Sequence, residues 1–191
     1  MDQPSSYQDW LQQSKGILFS PARFWKQYDA EKMTVNQILA SFLLPWLGLT
    51  AMVVFVGVWV NQPQLPYLDL LKMAVVVFAR LFFAVFAAGW GFEKLNAALG
   101  NLIPFHAAFA LVAFAMPMLC LESMVGAFFP DLLMGKLVLA YTMVLFYLGC
   151  VNYFNFSKAK AVIHSLLIFV WLLGVSFSVT FLLQIINKPV L

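Results

Sequence analysis

The chain has 191 residues, of which 63% are hydrophobic and only 10% charged, with a mean hydropathy of +0.89. Average soluble domains are about 45–50% apolar and about 25% charged, so this composition excludes a soluble globular protein and implies an integral membrane one. The net charge of +3 calls for no nucleic-acid partner, because membrane proteins collect Lys and Arg at the cytoplasmic interface.

Residues 1–34 do not form a span. The opening MDQPSSYQDW is polar, and no signal peptide is expected from it. Trp10, Leu11, Ser14, Ile17 and Leu18 recur at helical spacing, opposite Gln12, Gln13 and Lys15. Ser20-Pro21 reads as an N-cap with proline at the first helical position. The short helix after it carries Phe24, Trp25 and Tyr28, flanked by Arg23 and Lys26. Such a basic, aromatic helix either lies among lipid headgroups or packs its aromatic face on the bundle. Thr34-Val35-Asn36-Gln37 fits a capping box.

Five apolar runs follow, over about 37–60, 71–92, 105–129, 132–151 and 162–186. Each meets the roughly 20-residue length needed to cross a bilayer. The expected fold is an all-α membrane protein: five transmembrane helices preceded by one or two short amphipathic interfacial helices. This gives a cytoplasmic N-terminal segment, residues 1–34, and a spanning domain, residues 35–191. Pro45 and Pro117 predict helix kinks. The loop 61–70, with Pro63 and Pro66, is expected to be extended, and Pro130-Asp131 makes a short turn between spans three and four. Trp59 and Tyr67 fall at one membrane face as an aromatic belt. One face of the bundle receives Lys15, Arg23, Lys26, Lys32, Lys94, Lys158 and Lys160, the other Lys72, Lys136 and Lys188. That bias puts the N-terminus in the cytoplasm and the C-terminus on the opposite side.

Two charges interrupt the apolar runs: Arg80 in span two and Glu122 in span three. A charge at the centre of a spanning helix costs about 2.5–3.5 kcal/mol on insertion scales. At about 1.5 Å per residue the two fall within roughly one turn of each other in depth. They are expected to form a buried ion pair, structural or lining a polar path. Ala84, Ala87 and Gly91 follow Arg80 as a small-residue stripe suited to close helix packing. Phe78, Phe82 and Phe86 form a second row, facing lipid or looser packing. Glu93, Lys94, Asn96, Asn101, His106 and His164, with Lys158 and Lys160, gather at the inner face. No residues show metal-ligand spacing and no nucleophile, dyad or phosphate-loop motif is present. No metal, no cofactor and no enzymatic activity are therefore expected. Cys120 and Cys150 differ too much in depth for a disulfide.

Several short segments resemble the Yip (Ypt-interacting protein) family of five-span membrane proteins, most closely its bacterial branch. They are Ile17–Trp25 (ILFSPARFW), Leu44–Leu49 (LPWLGL), Leu111–Pro117 (LVAFAMP), Tyr141, Tyr147 and Gly149, and Ser157–Ala161 (SKAKA). Gly100-Asn101 stands where the family has a glycine pair, and Phe114-Ala115 where it has Tyr-Ser. The resemblance implies a cytoplasmic N-terminus. In eukaryotes the family binds prenylated Rab-type GTPases and associates with other members; the short N-terminal segment looks like the bacterial form, which has no Rab partner. The expected role is a non-enzymatic membrane scaffold acting through lipids, a homo-oligomer or another membrane protein, in the plasma (inner) membrane of a bacterium. The alternative is a small transporter, channel or lipid-translocating protein that uses the Arg80/Glu122 level.

Overall fold

The computed structural model describes residues 7–28, 33–130 and 134–186. Lys32, Asp131, Lys188 and the side chain of Lys136 lie outside the described residues, as does the C-terminal tail. Every regular element among those described is helical: α1 (Tyr7–Phe19), α2 (Pro21–Gln27), α3 (Val35–Ile38), a π-helical turn (Leu39–Leu43), α4 (Leu44–Asn61), α5 (Tyr67–Ala98), α6 (Phe105–Phe128), α7 (Met134–Asn152) and α8 (Lys158–Ile186). Among the described residues four stretches are long and apolar enough to cross a membrane: Val35–Asn61, Tyr67–Ala98, Phe105–Phe128 and Lys158–Leu182. The run expected as span four corresponds to α7, whose apolar stretch Leu137–Asn152 is shorter.

Local chemistry sets the helix boundaries. Gln37 N donates to Thr34 Oγ1 at 3.3 Å and Thr34 N donates to Gln37 Oε1 at 2.8 Å, which completes the capping box that starts α3. Pro21 opens α2, although the Ser20 hydroxyl makes no capping bond. Pro45 has no N–H, and its ring presses on the carbonyl four residues earlier. The chain responds with the π turn just before it, where Leu44 N–H reaches back to Leu39 O. Pro117 lies buried inside α6, and that helix continues across it. α5 is longer than the run 71–92 at both ends, taking in Tyr67–Leu70 and Glu93–Ala98. The expected extended loop 61–70 shrinks accordingly to a turn at residues 62–66. Hydropathy marks the part of a helix that suits lipid; the hydrogen-bonded ladder runs on into polar residues.

α6 forms the axis of the bundle. Every residue from Ala107 to Cys120 is buried, as expected for a helix that is hydrophobic all round. α4, α5, α7, α1 and the π turn pack around it, and α8 lies outside in the groove of α5 and α7. Small residues allow the closest approaches. A Cβ on Gly57 of α4 would sit 3.0 Å from the backbone carbon of Ala127 in α6. A Cβ on Gly149 of α7 would meet Leu111 Cδ1 of α6 and lie 3.3 Å from Trp25.

The two readings of the N-terminal helices are decided by packing: the aromatic face lies on the bundle. Ile17 is fully buried and Trp25 is 1% exposed. The Trp25 ring stacks on Tyr153 at 5.4 Å, and Phe24, Tyr28 and Phe42 surround Phe114 at 4.6–5.0 Å between centroids. Trp46 Nε1 donates to Ser14 Oγ at 3.0 Å, and Tyr141 Oη donates to Leu18 O at 3.1 Å. Tyr141 lies roughly 16 Å along α7 from its Asn152 end. The α1–α2 hairpin is thus wedged beside the spans between α4 and α7, and its basic side faces outward.

Candidate functional site

The Arg80 level is built by α4, α5 and α6. Arg80 and Glu122 come to the same level but make no direct ion pair. Among the described residues the ion pairs are Lys72–Asp69 and Lys94–Glu93. Arg80 Nη2 instead donates to Ser123 Oγ at 2.9 Å. The Ser123 hydroxyl has a single proton. Its nearer acceptor is Leu119 O at 2.9 Å; Glu122 Oε2 is 3.4 Å away. Successive side chains on a helix diverge in direction, and here Ser123 rather than its neighbour Glu122 is the residue that bonds Arg80. Arg80 Nε is buried without a partner. Cys120 and Thr50, both fully buried, lie nearby, and the Thr50 hydroxyl donates to Trp46 O at 2.7 Å. The cavities on the α4–α5 and α5–α8 faces do not include Arg80, Ser123 or Glu122 in their linings.

The inner-face residues separate into three places. Glu93 and Lys94 pair with each other at 3.6 Å. His106 is exposed on the first turn of α6. His164 is 4% exposed on α8. Its Nδ1 lies 2.8 Å from Lys160 O, so that nitrogen carries the proton, and Nε2 is left buried without a partner. Lys160 Nζ donates to Asn101 Oδ1 and sits 4.4 Å over the Phe156 ring. Asn101 N in turn bonds Asn96 O across the turn at Gly100, whose φ of +76° needs glycine. Lys160 and Asn101 therefore tie the start of α8 to the α5–α6 loop. Among the described residues no three His, Cys, Asp or Glu side chains gather as metal ligands would.

The small-residue stripe serves two neighbours. Ala84 is fully buried toward the core. Gly91 lies under Trp171 of α8, whose indole Nε1 donates to Ala87 O at 3.1 Å; a Cβ on Gly91 would collide with that indole. The Phe78, Phe82 and Phe86 row is half-buried, with Phe86 5.0 Å from Phe109. Beside Trp171 an apolar groove of about 740 Å³ runs between α5 and α8, with Trp90 and Lys94 on its wall. A second cleft, between α1 and α2, has the basic side chains Lys15 and Arg23 on its wall. The sequence reading missed Ser123, Trp171 and this cleft. A hydroxyl three or four residues from a helix carbonyl was the available signal for Ser123. Pairings of Trp171 and of α1 with α2 carry no local signal.

A family model described as Yip1 domain matches residues 15–180. No curated protein and no solved structure matches the chain.

Proposed function

The chain belongs to the Yip1-domain family, and from that premise we propose that it is a five-span scaffold of the family's bacterial branch. In this reading residues 35–191 are the spanning unit, with α7 as the fourth crossing, and residues 1–34 are a cytoplasmic segment. The C-terminus lies on the opposite side of the plasma (inner) membrane. Charge supports that orientation: Lys15, Arg23, Lys26, Lys94, Lys158 and Lys160 belong to the N-terminal helices and to the helix ends around loops 99–104 and 153–157.

The scaffold acts through lipid or protein contacts rather than catalysis; Yip1 is not a known enzyme family. The observation that carries this is the filled axis. α6 occupies the centre of the bundle with an unbroken buried segment, and the features left open are outward-facing grooves. A Rab-type GTPase enters as a partner only in a eukaryotic setting. Cross-linking and co-purification under native expression test the reading. A homo-oligomer, a membrane-protein partner or retained lipid is expected, and isolated monomer with neither partner nor lipid overturns it.

A second reading is a transporter, channel or lipid-translocating protein with its polar step at Arg80, Ser123 and Glu122. The unpartnered Arg80 Nε favours it. Flux or lipid-flip assays in liposomes decide: activity abolished by Arg80→Leu supports it, and activity unchanged by that substitution removes it.

A further inference from the structure

We infer that the cleft between α1 and α2 binds the phosphate of an anionic phospholipid headgroup. The inference rests on the scaffold reading and specifies one of its ligands. The cleft encloses about 710 Å³, and its polar lining is Gln12, Gln13, Lys15, Ser20, Arg23 and Gln27. Two of these side chains are cationic and none is acidic. Among the described residues neither Lys15 nor Arg23 has an acidic partner. The Ser20 hydroxyl stands at the N-cap of α2 yet makes no capping bond, so it is free to donate into the cleft. The Gln13 Oε1 is buried without a partner, and a headgroup hydroxyl would satisfy it. Phosphatidylglycerol carries both chemistries, a phosphodiester for the cations and hydroxyls for the amide.

Position favours a lipid over a soluble phosphate. Leu18, between Lys15 and Arg23 in the chain, accepts a bond from Tyr141 of α7, which holds the cleft against the side of the bundle. In the orientation proposed above Lys15 and Arg23 stand at the cytoplasmic face, where the anions beside the bundle are the phosphates of the inner leaflet. Phe19, at the tip of the hairpin, is 81% exposed, which suits contact with acyl chains. The opposite side of the hairpin is anchored by Ile17 and Trp25 in the core. The cleft is thus pre-formed and its ligand need not order it.

The test is a lipid titration of the full chain in phosphatidylcholine nanodiscs, with phosphatidylglycerol retention read by native mass spectrometry. Wild type is expected to prefer phosphatidylglycerol. Lys15→Gln and Arg23→Gln should each weaken retention about fivefold, and the double variant about thirtyfold. Lys26→Gln, on α2 outside the cleft, should change it less than twofold, and the charge-conserving Lys15→Arg/Arg23→Lys variant should restore it. Equal loss in Lys26→Gln, or no headgroup preference in wild type, overturns the site in favour of diffuse attraction. Competition by glycerol 3-phosphate as strong as by the lipid overturns the lipid assignment. If a protein partner co-purifies but Lys15→Gln/Arg23→Gln leaves lipid retention unchanged, this inference fails alone. If no partner appears but the lipid preference holds, only the scaffold reading loses its protein arm.

Discussion

Gly57 offers the sharpest test of the packing, because the same substitution elsewhere on α4 should have the opposite sign. An alanine Cβ at Gly57 would lie 2.9 Å from Ala127 Cβ, 3.0 Å from the Ala127 carbonyl carbon and 3.1 Å from its oxygen. Carbon pairs rest at about 3.5–4.0 Å, and two of these obstacles are backbone atoms that cannot swing aside. α4 and α6 must separate locally. Such overpacking costs about 1–3 kcal/mol. The separation also strains the neighbouring bonds from Asn61 Nδ2 to Ala127 O at 2.8 Å and Phe128 O at 3.1 Å. Gly48, on the same helix, has nothing within 4 Å of its would-be Cβ. Gly48→Ala should therefore only gain the helical preference of alanine over glycine, about 0.5–1 kcal/mol. The two variants should differ by about 1–3 kcal/mol, because the helical preference is common to both and only the overpacking separates them. Denaturant titration in detergent micelles, followed by circular dichroism, measures both. Equal stabilities, or a more stable Gly57→Ala, would refute the close approach of α4 and α6.

A double-mutant cycle separates the partners of Arg80. Arg80→Leu with Ser123→Ala should show coupling of about 1.5–3 kcal/mol, the range for a hydrogen bond to a charged group. Arg80→Leu with Glu122→Gln should show clearly less; the reverse order would restore the direct ion pair. Gly91→Ala should destabilise the α5–α8 contact by about 1–3 kcal/mol. That cost should largely vanish in a Trp171→Ala background, and its persistence would mean that the indole is not the obstacle. Trp25→Ala should cost about 3–5 kcal/mol and expose the 7–28 segment to limited proteolysis. Tyr141→Phe, removing the bond to Leu18 O, should cost about 0.5–1.5 kcal/mol and accelerate the same cleavage; resistance equal to wild type would argue against the wedged hairpin.

Much of the architecture was legible from residue order. The capping box at Thr34 and Gln37 is a contact three residues apart, and the start of α2 at Pro21 is a backbone restriction. Both follow from neighbours in the chain. The runs of apolar residues located the long helices because lipid and protein core both select for them. The ends of α5 were misplaced for the same reason: Asp69, Glu93 and Lys94 end the apolar run but not the helix. At the candidate site, residue depth suggested that Arg80 and Glu122 share a level. Depth says nothing of rotation about the helix axis, and rotation gave the contact to Ser123.

Composition and periodicity alone thus determined that the chain is a helical membrane protein, where its apolar helices run, and which residues carry charge into them. Which helix takes the axis was decided only by tertiary packing, since five apolar helices look alike to a hydropathy scale and α6 differs by having neighbours on every side. The same holds for the N-terminal hairpin. Its aromatic face suited either headgroups or a bundle, and the choice rested on Phe114 and Tyr153, more than eighty residues away in the chain. Burying that face turned Lys15 and Arg23 outward together, and so made a basic cleft out of two charges that residue order leaves eight positions apart.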